Sequence, residues 1–126
     1  MKSAISAIII AVIIVFVSII GTSKIEKISQ TMLELNQNIY NSLKSDDFIN
    51  AKNNSEKLKE FIDSKETFLS AYSDRSLIDS IENNISQVDG FIEMKNKDNS
   101  FAYINQLDTQ IRHLCKSSML TLENVL

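Results

Sequence analysis

Three observations predict an all-α chain, with an N-terminal transmembrane helix continuing into an antiparallel helical bundle of two αα-hairpins, about four helices. The first is the scarcity of helix breakers. The 126 residues hold no proline and only two glycines, Gly21 and Gly90, whereas β-hairpins and tight turns usually recruit one or the other. The second is residues 4–21, AISAIIIAVIIVFVSIIG, which carry no charge. As a helix this stretch would rise about 27 Å, close to the roughly 30 Å hydrocarbon core of a bilayer. The third is that apolar residues downstream recur at spacings of three and four, the period of a helix buried on one side. A near-zero mean hydropathy hides this division, because it averages a very apolar start with a polar remainder.

A cleaved signal peptide is the rival reading of the first 23 residues. Against it, the apolar core exceeds the usual length of about 7 to 15 residues, and the n-region offers only Lys2 and the α-amine. No A-x-A-like site follows, Gly21-Thr22-Ser23 being the nearest approach. Residues 1–22 therefore read as an uncleaved transmembrane anchor and 23–126 as a helical bundle domain. Lys2 favours a cytoplasmic N-terminus while Lys24 and Lys27 pull the other way, so flanking charge does not decide orientation. A very short tail ahead of an apolar segment usually inserts with the tail inside. The expectation is a single-pass cell-membrane protein with the bulk of its chain extracytoplasmic.

From Thr22 onward, Ile25, Ile28, Met32, Leu35, Ile39 and Leu43 form one stripe, and no breaker separates it from the apolar stretch. One long helix to about Lys44 is predicted. Ser45-Asp46-Asp47 then supplies capping residues. A second helix is expected from about Asp47 to Ala71, with Phe48, Ala51, Leu58, Phe61, Ile62, Leu69 and Tyr72 facing inward. Ser73-Asp74 caps a third, whose stripe is Ile78, Ile81, Ile85, Val88 and Ile92. Residues 96–100, NKDNS, read as the next turn, before a fourth helix carrying Phe101, Ile104, Leu107, Ile111 and Leu114 towards Met119 and Leu122.

Shifted by 53 residues, the first two stripes overlie the last two, Ile25 on Ile78 and Phe48 on Phe101, with Asn54 on Leu107. Two αα-hairpins of similar design follow, too few for a solenoid and so expected to close on each other. A helix of about 20 residues with one apolar stripe is not stable alone in water. Any stripe left uncovered needs a second protomer or another membrane protein, and the a/d-like first stripe suits a coiled-coil dimer at the stalk. The predicted contact elements are that stripe, from Ile25 to Leu43, and apolar surface near Phe68 and Tyr72.

The formal net charge of −3 comes from intermingled acids and bases, with no Lys/Arg run and no basic stripe. Nucleic acid is therefore not an expected partner. The lone Cys115 cannot form an internal disulfide. His113 and Cys115 lie one position apart on a helix, so they point about 200° apart and cannot grip one metal ion together. Glu56, Glu60 and Asp63 alternate with Lys52, Lys57, Lys59 and Lys65 and read as a solvated face with weak i, i+4 pairs. Asn54 occupies a core register; it either lines a pocket for a small molecule or marks a wet layer. The N-x-S triplets Asn53-Asn54-Ser55 and Asn84-Ile85-Ser86 fall within predicted helices and are not read as glycosylation acceptors. With no phosphate-binding loop, nucleophile elbow or Cys–His arrangement, no catalytic, cofactor-binding or metal residue is assigned and no cofactor is expected.

The chain as a whole resembles a family of short, uncharacterised membrane-anchored helical proteins, a domain of unknown function from spore-forming Gram-positive bacteria. The resemblance rests on the Ile-rich span at 8–20, KIEKISQ at 24–30, DDFINAKNNSEKLKEF at 46–61 and the closing LENVL at 122–126. Phe48 stands where that family commonly has Trp. The resemblance implies no activity to carry over; members of that family are sometimes encoded beside a multi-span membrane protein, which implies a membrane partner and nothing firmer. Residues and resemblance together lead to a non-enzymatic, membrane-anchored interaction or scaffold domain, accessory to another membrane protein or self-associating. The alternative is an extracytoplasmic helical bundle that senses a small ligand near Asn54.

Overall fold

The computed structural model describes residues 2–125, with side chains described as far as Ser117. The expected inward residues Met119 and Leu122 lie outside the described side chains. Long apolar-periodic stretches without breakers produce four helices: α1 (Lys2–Lys44), α2 (Phe48–Tyr72), α3 (Arg75–Glu93) and α4 (Lys97–Val125). No strand occurs among the described residues. Each helix packs on its sequence neighbours and α4 closes back on α1, so the ring is an up-down-up-down bundle.

α1 is one unbroken helix of 43 residues, roughly 65 Å long. Its first half lies outside the bundle, and its first buried residue is Gly21. Ser18, a polar group within the apolar run, returns its hydroxyl to the Ile14 carbonyl at 2.9 Å, which satisfies it without a neighbour. The second half contributes Ile25, Ile28, Met32, Ile39 and Leu43 to the core, all at most 4% exposed. That burial overturns the coiled-coil stalk. Leu35, the remaining member, is half-buried against the same core, so the stripe is taken up inside its own chain, packed against α2 and α4.

The turns explain where each helix stops. Asp46 and Lys95 both adopt φ 57°, the left-handed conformation that ends a helix. Around Asp46, Asp46 N–H reaches the Leu43 carbonyl and Asp47 N–H the Ser42 carbonyl; around Lys95, the same bonds run from Lys95 to Ile92 and from Asn96 to Phe91. These are two Schellman motifs. In each, the next residue caps the following helix, Asp47 accepting from Asn50 N–H and Asn96 from Asn99 N–H. Asp74 caps α3 through Ser76 N–H.

The equivalent turns lie 49 residues apart, at Asp46 and Lys95, so the 53-residue overlay was one helical turn out of register. Sliding a stripe by four residues leaves it a stripe, and only the turn geometry distinguishes the two fits. In the correct register Leu58 falls on Leu107 and Ile62 on Ile111, all four buried. Asn54 no longer matches Leu107. The third turn also moves forward, to residues 94–96, and NKDNS becomes the cap and first turn of α4. Phe48 and Phe61 are only half-buried, and Tyr72 is 44% exposed.

Candidate functional site

Two features stand apart from the sealed bundle: the exposed half of α1, and the end of the bundle from which it emerges. Between Ile5 and Ile20 the large apolar side chains are 45–64% exposed, Val15 alone among the described residues being half-buried. The most apolar window of α1 is only 6% buried. By length and composition this helix is able to cross a membrane. At its exit the Tyr72 ring lies against Gly21 so closely that a Cβ there would sit 2.7 Å from two ring atoms. Tyr72 stacks on Phe68 with centroids 4.6 Å apart, and the Lys24 ammonium lies 4.3 Å from the Phe68 centroid. This cluster is built by α1 and the last turn of α2.

The remaining candidates are polar groups between helices. At the α2–α3 seam, Asp89 accepts from Lys52 at 2.8 Å and Ser55 at 2.6 Å, with Lys59 3.8 Å away. Burial pushes Asp89 up, but the bonds from Lys52 and Ser55 and the lysine charges outweigh it and hold the carboxyl below its ordinary value. The Asp89 bond in turn raises Lys52, against burial. Lys52 and Lys59 thus serve the neighbouring helix rather than the i, i+4 pairs anticipated within α2. Further along the seam, Asp63, Glu66 and Glu82 bring ligand atoms within 4.8 Å of one another. Burial and the Glu66 charge raise Glu82, while Arg75 engages Glu66 at 3.3 Å and Asp79 at 3.2 Å. Beside them is a cleft of about 170 Å³ lined by Lys59, Ile62, Ile85 and Ser86.

Asn36, 2% exposed, donates to the Ile104 carbonyl at 3.1 Å and leaves its Oδ1 without a hydrogen-bond partner. It borders an open groove of about 350 Å³ between α1 and α4, which Gln37, Tyr40, Asn105, Asp108 and Arg112 also line. Asn54 is placed elsewhere. It donates to Ser42 Oγ at 3.3 Å, a hydroxyl shared with Asn50, and forms part of an interhelical polar network. Cys115 is half-buried, and burial with the Glu26 charge pushes its thiol up, away from a reactive thiolate. His113 is exposed, with Ser117 Oγ 3.5 Å from its ring nitrogen. Among the described residues, neither joins the cluster of Asp63, Glu66 and Glu82.

Residues 19–125 match the family model described as Domain of unknown function (DUF4363). The chain belongs to that family. No curated protein and no solved structure matches it. The DUF4363 match therefore spans the whole bundle and starts just before α1 enters it.

Of the residues singled out in the DUF4363 sequence, Asn54 and Lys52 do make interhelical contacts, though not those foreseen. Asn36, Asp89 and Glu82 were missed. Asn36 had a legible signal, since it falls between Met32 and Ile39 on the buried stripe. Asp89 sits beside Val88 at the edge of its stripe, where an acidic side chain is normally left to water.

Proposed function

We propose that the protein is a non-enzymatic, membrane-anchored helical bundle that works by binding. Residues 1–22 form its single-span anchor and 23–126 its domain, with the bulk of the chain extracytoplasmic. It acts as an accessory or scaffold for another membrane protein, or for a second copy of itself. One observation carries this reading: an apolar helix half, exposed on every side, joined without a break to a bundle that has buried its own stripes. A surface of that kind is at rest only in lipid or against another apolar helix. The sealed stalk stripe moves the expected protein contacts to the span itself and to the surface around Phe68 and Tyr72.

The full-length protein should co-float with liposomes and resist alkaline extraction, and a C-terminal tag should be digested by protease added to intact cells. Mild-detergent pull-down should recover a dimer or a stoichiometric membrane partner. Release of a chain lacking its first two dozen residues into the medium would overturn the anchor, and a clean monomer would overturn the scaffold.

A second reading, a small-ligand sensor, is favoured by the groove beside Asn36 rather than by the surroundings of Asn54. There an amide, a phenol, a carboxylate and a guanidinium converge. It predicts a polar small molecule that raises the melting temperature of the intact protein, with Arg112→Ala abolishing the shift.

A further inference from the structure

We propose that the base of the bundle, formed by Lys24, Phe68, Tyr72 and the α2–α3 turn, is seated in the headgroup layer of the bilayer as a second membrane contact. The proposal rests on the reading of the first half of α1 as the span. Gly21 is both the last residue of the apolar run and the first buried residue of the bundle. The chain has no linker at that point, because α1 is continuous through it. Where hydrocarbon ends, the bundle begins.

The headgroup region adds about 5–8 Å on each side of the hydrocarbon, roughly one to one and a half helical turns. Lys24 stands one turn above Gly21, and Tyr72 touches Gly21 itself. α2 ends at this level, and α4 also descends on the same side, since Asn36 meets Ile104 and Tyr40 meets Phe101 in antiparallel register. The base therefore has to occupy the interface.

Its chemistry fits that layer. Tyr72 is 44% exposed and presents an apolar ring with a polar tip. The Lys24 ammonium lies over the Phe68 ring, which puts a positive charge at the depth of the lipid phosphates. Tyrosine and snorkelling lysine are the side chains that settle at this depth. Elsewhere on the bundle, the exposed large apolar side chains among the described residues are Ile49 and Met94, both next to the far turns. The ring wedged on Gly21 also ties the span to α2, so the bundle stands upright on the membrane at a fixed tilt.

The test uses full-length protein with Cys115→Ala, carrying one fluorophore at Ser76→Cys near the base or Ser45→Cys at the far turn. Both positions are exposed. Each variant is reconstituted into phosphatidylcholine–phosphatidylglycerol liposomes containing a headgroup-nitroxide lipid, with a thermal melt as the folding control. The Ser76 label should be quenched several-fold more than the Ser45 label, which lies roughly 35 Å away along the bundle. Co-flotation with equal quenching at both sites would overturn the proposal alone. Failure to co-float would overturn the anchor reading, and the seated base with it.

Discussion

The two halves of α1 are the same helix put to opposite uses. From Ile5 to Ile20 apolar side chains face every direction and all but Val15 stay exposed, whereas the isoleucines between Ile25 and Leu43 are confined to one side and vanish into the core. The backbone does not register the change, because both halves meet the same local requirements for an α-helix. What differs is the number of apolar faces. A helix with one stripe finds enough partners in two neighbours, and a helix apolar all round exceeds what a bundle of this size can cover. Burial in protein and burial in lipid are thus separated within one element by the distribution of polar residues alone.

That contrast breaks first in the core half. Ile39→Ala, at a site with no exposure, should destabilise the bundle by about 2–5 kcal/mol, read by chemical denaturation, while liposome co-flotation is unchanged. The reciprocal change, Ile13→Arg in the exposed half, should cost about 2.5–3.5 kcal/mol of insertion free energy. It should abolish co-flotation and leave the bundle's melting temperature within a degree or two.

Polar contacts within the bundle sharpen the comparison at smaller magnitude. Asp89→Ala removes the acceptor that Lys52 and Ser55 share between α2 and α3 and should cost about 1–3 kcal/mol. Asp89 has a folded pKa below its unfolded value, so its contribution is present above the unfolded pKa and is lost as pH falls through the folded one. Glu82 runs the other way. Its folded pKa is raised, so stability falls as pH rises from the ordinary glutamate value through the raised one, and Glu82→Gln should flatten that slope. Urea titrations across the acid range check both signs. Smallest is Lys95→Gly, which relieves a left-handed residue and should stabilise by roughly 1 kcal/mol. A similar gain at Asp46→Gly, less its ion pair with Lys97, would tie the two hairpin turns together thermodynamically.

The elements themselves were legible. The ends of α1 and α2 and the caps at Asp47 and Asp74 fall where the residues predict them, because capping oxygens and stripe spacing are local signals. The position of the α3–α4 turn was not. A helix C-terminus usually announces itself with glycine, and here aspartate and lysine take the left-handed position, so nothing in the composition of Met94-Lys95-Asn96 marks the stop. The polar contacts were legible only in part. Asn36 lies at helical spacing between Met32 and Ile39 and could have been read there but was passed over for Leu35, while the meeting of Asp89 with Lys52 joins residues 37 apart whose approach depends on how two helices are rotated against each other.

Residue type and spacing by themselves determined the all-helical class, the number of helices and the split between a helix apolar on all sides and helices apolar on one, since these follow from periodicity and the absence of breakers. Only the tertiary structure decided that the stalk stripe is spent inside its own bundle, that the hairpins correspond at 49 residues, and that Tyr72 comes to rest on Gly21. A stripe fixes which side of a helix is buried but leaves its partner and its vertical register free. Those are settled when the turns set the helix ends and the four cores interlock.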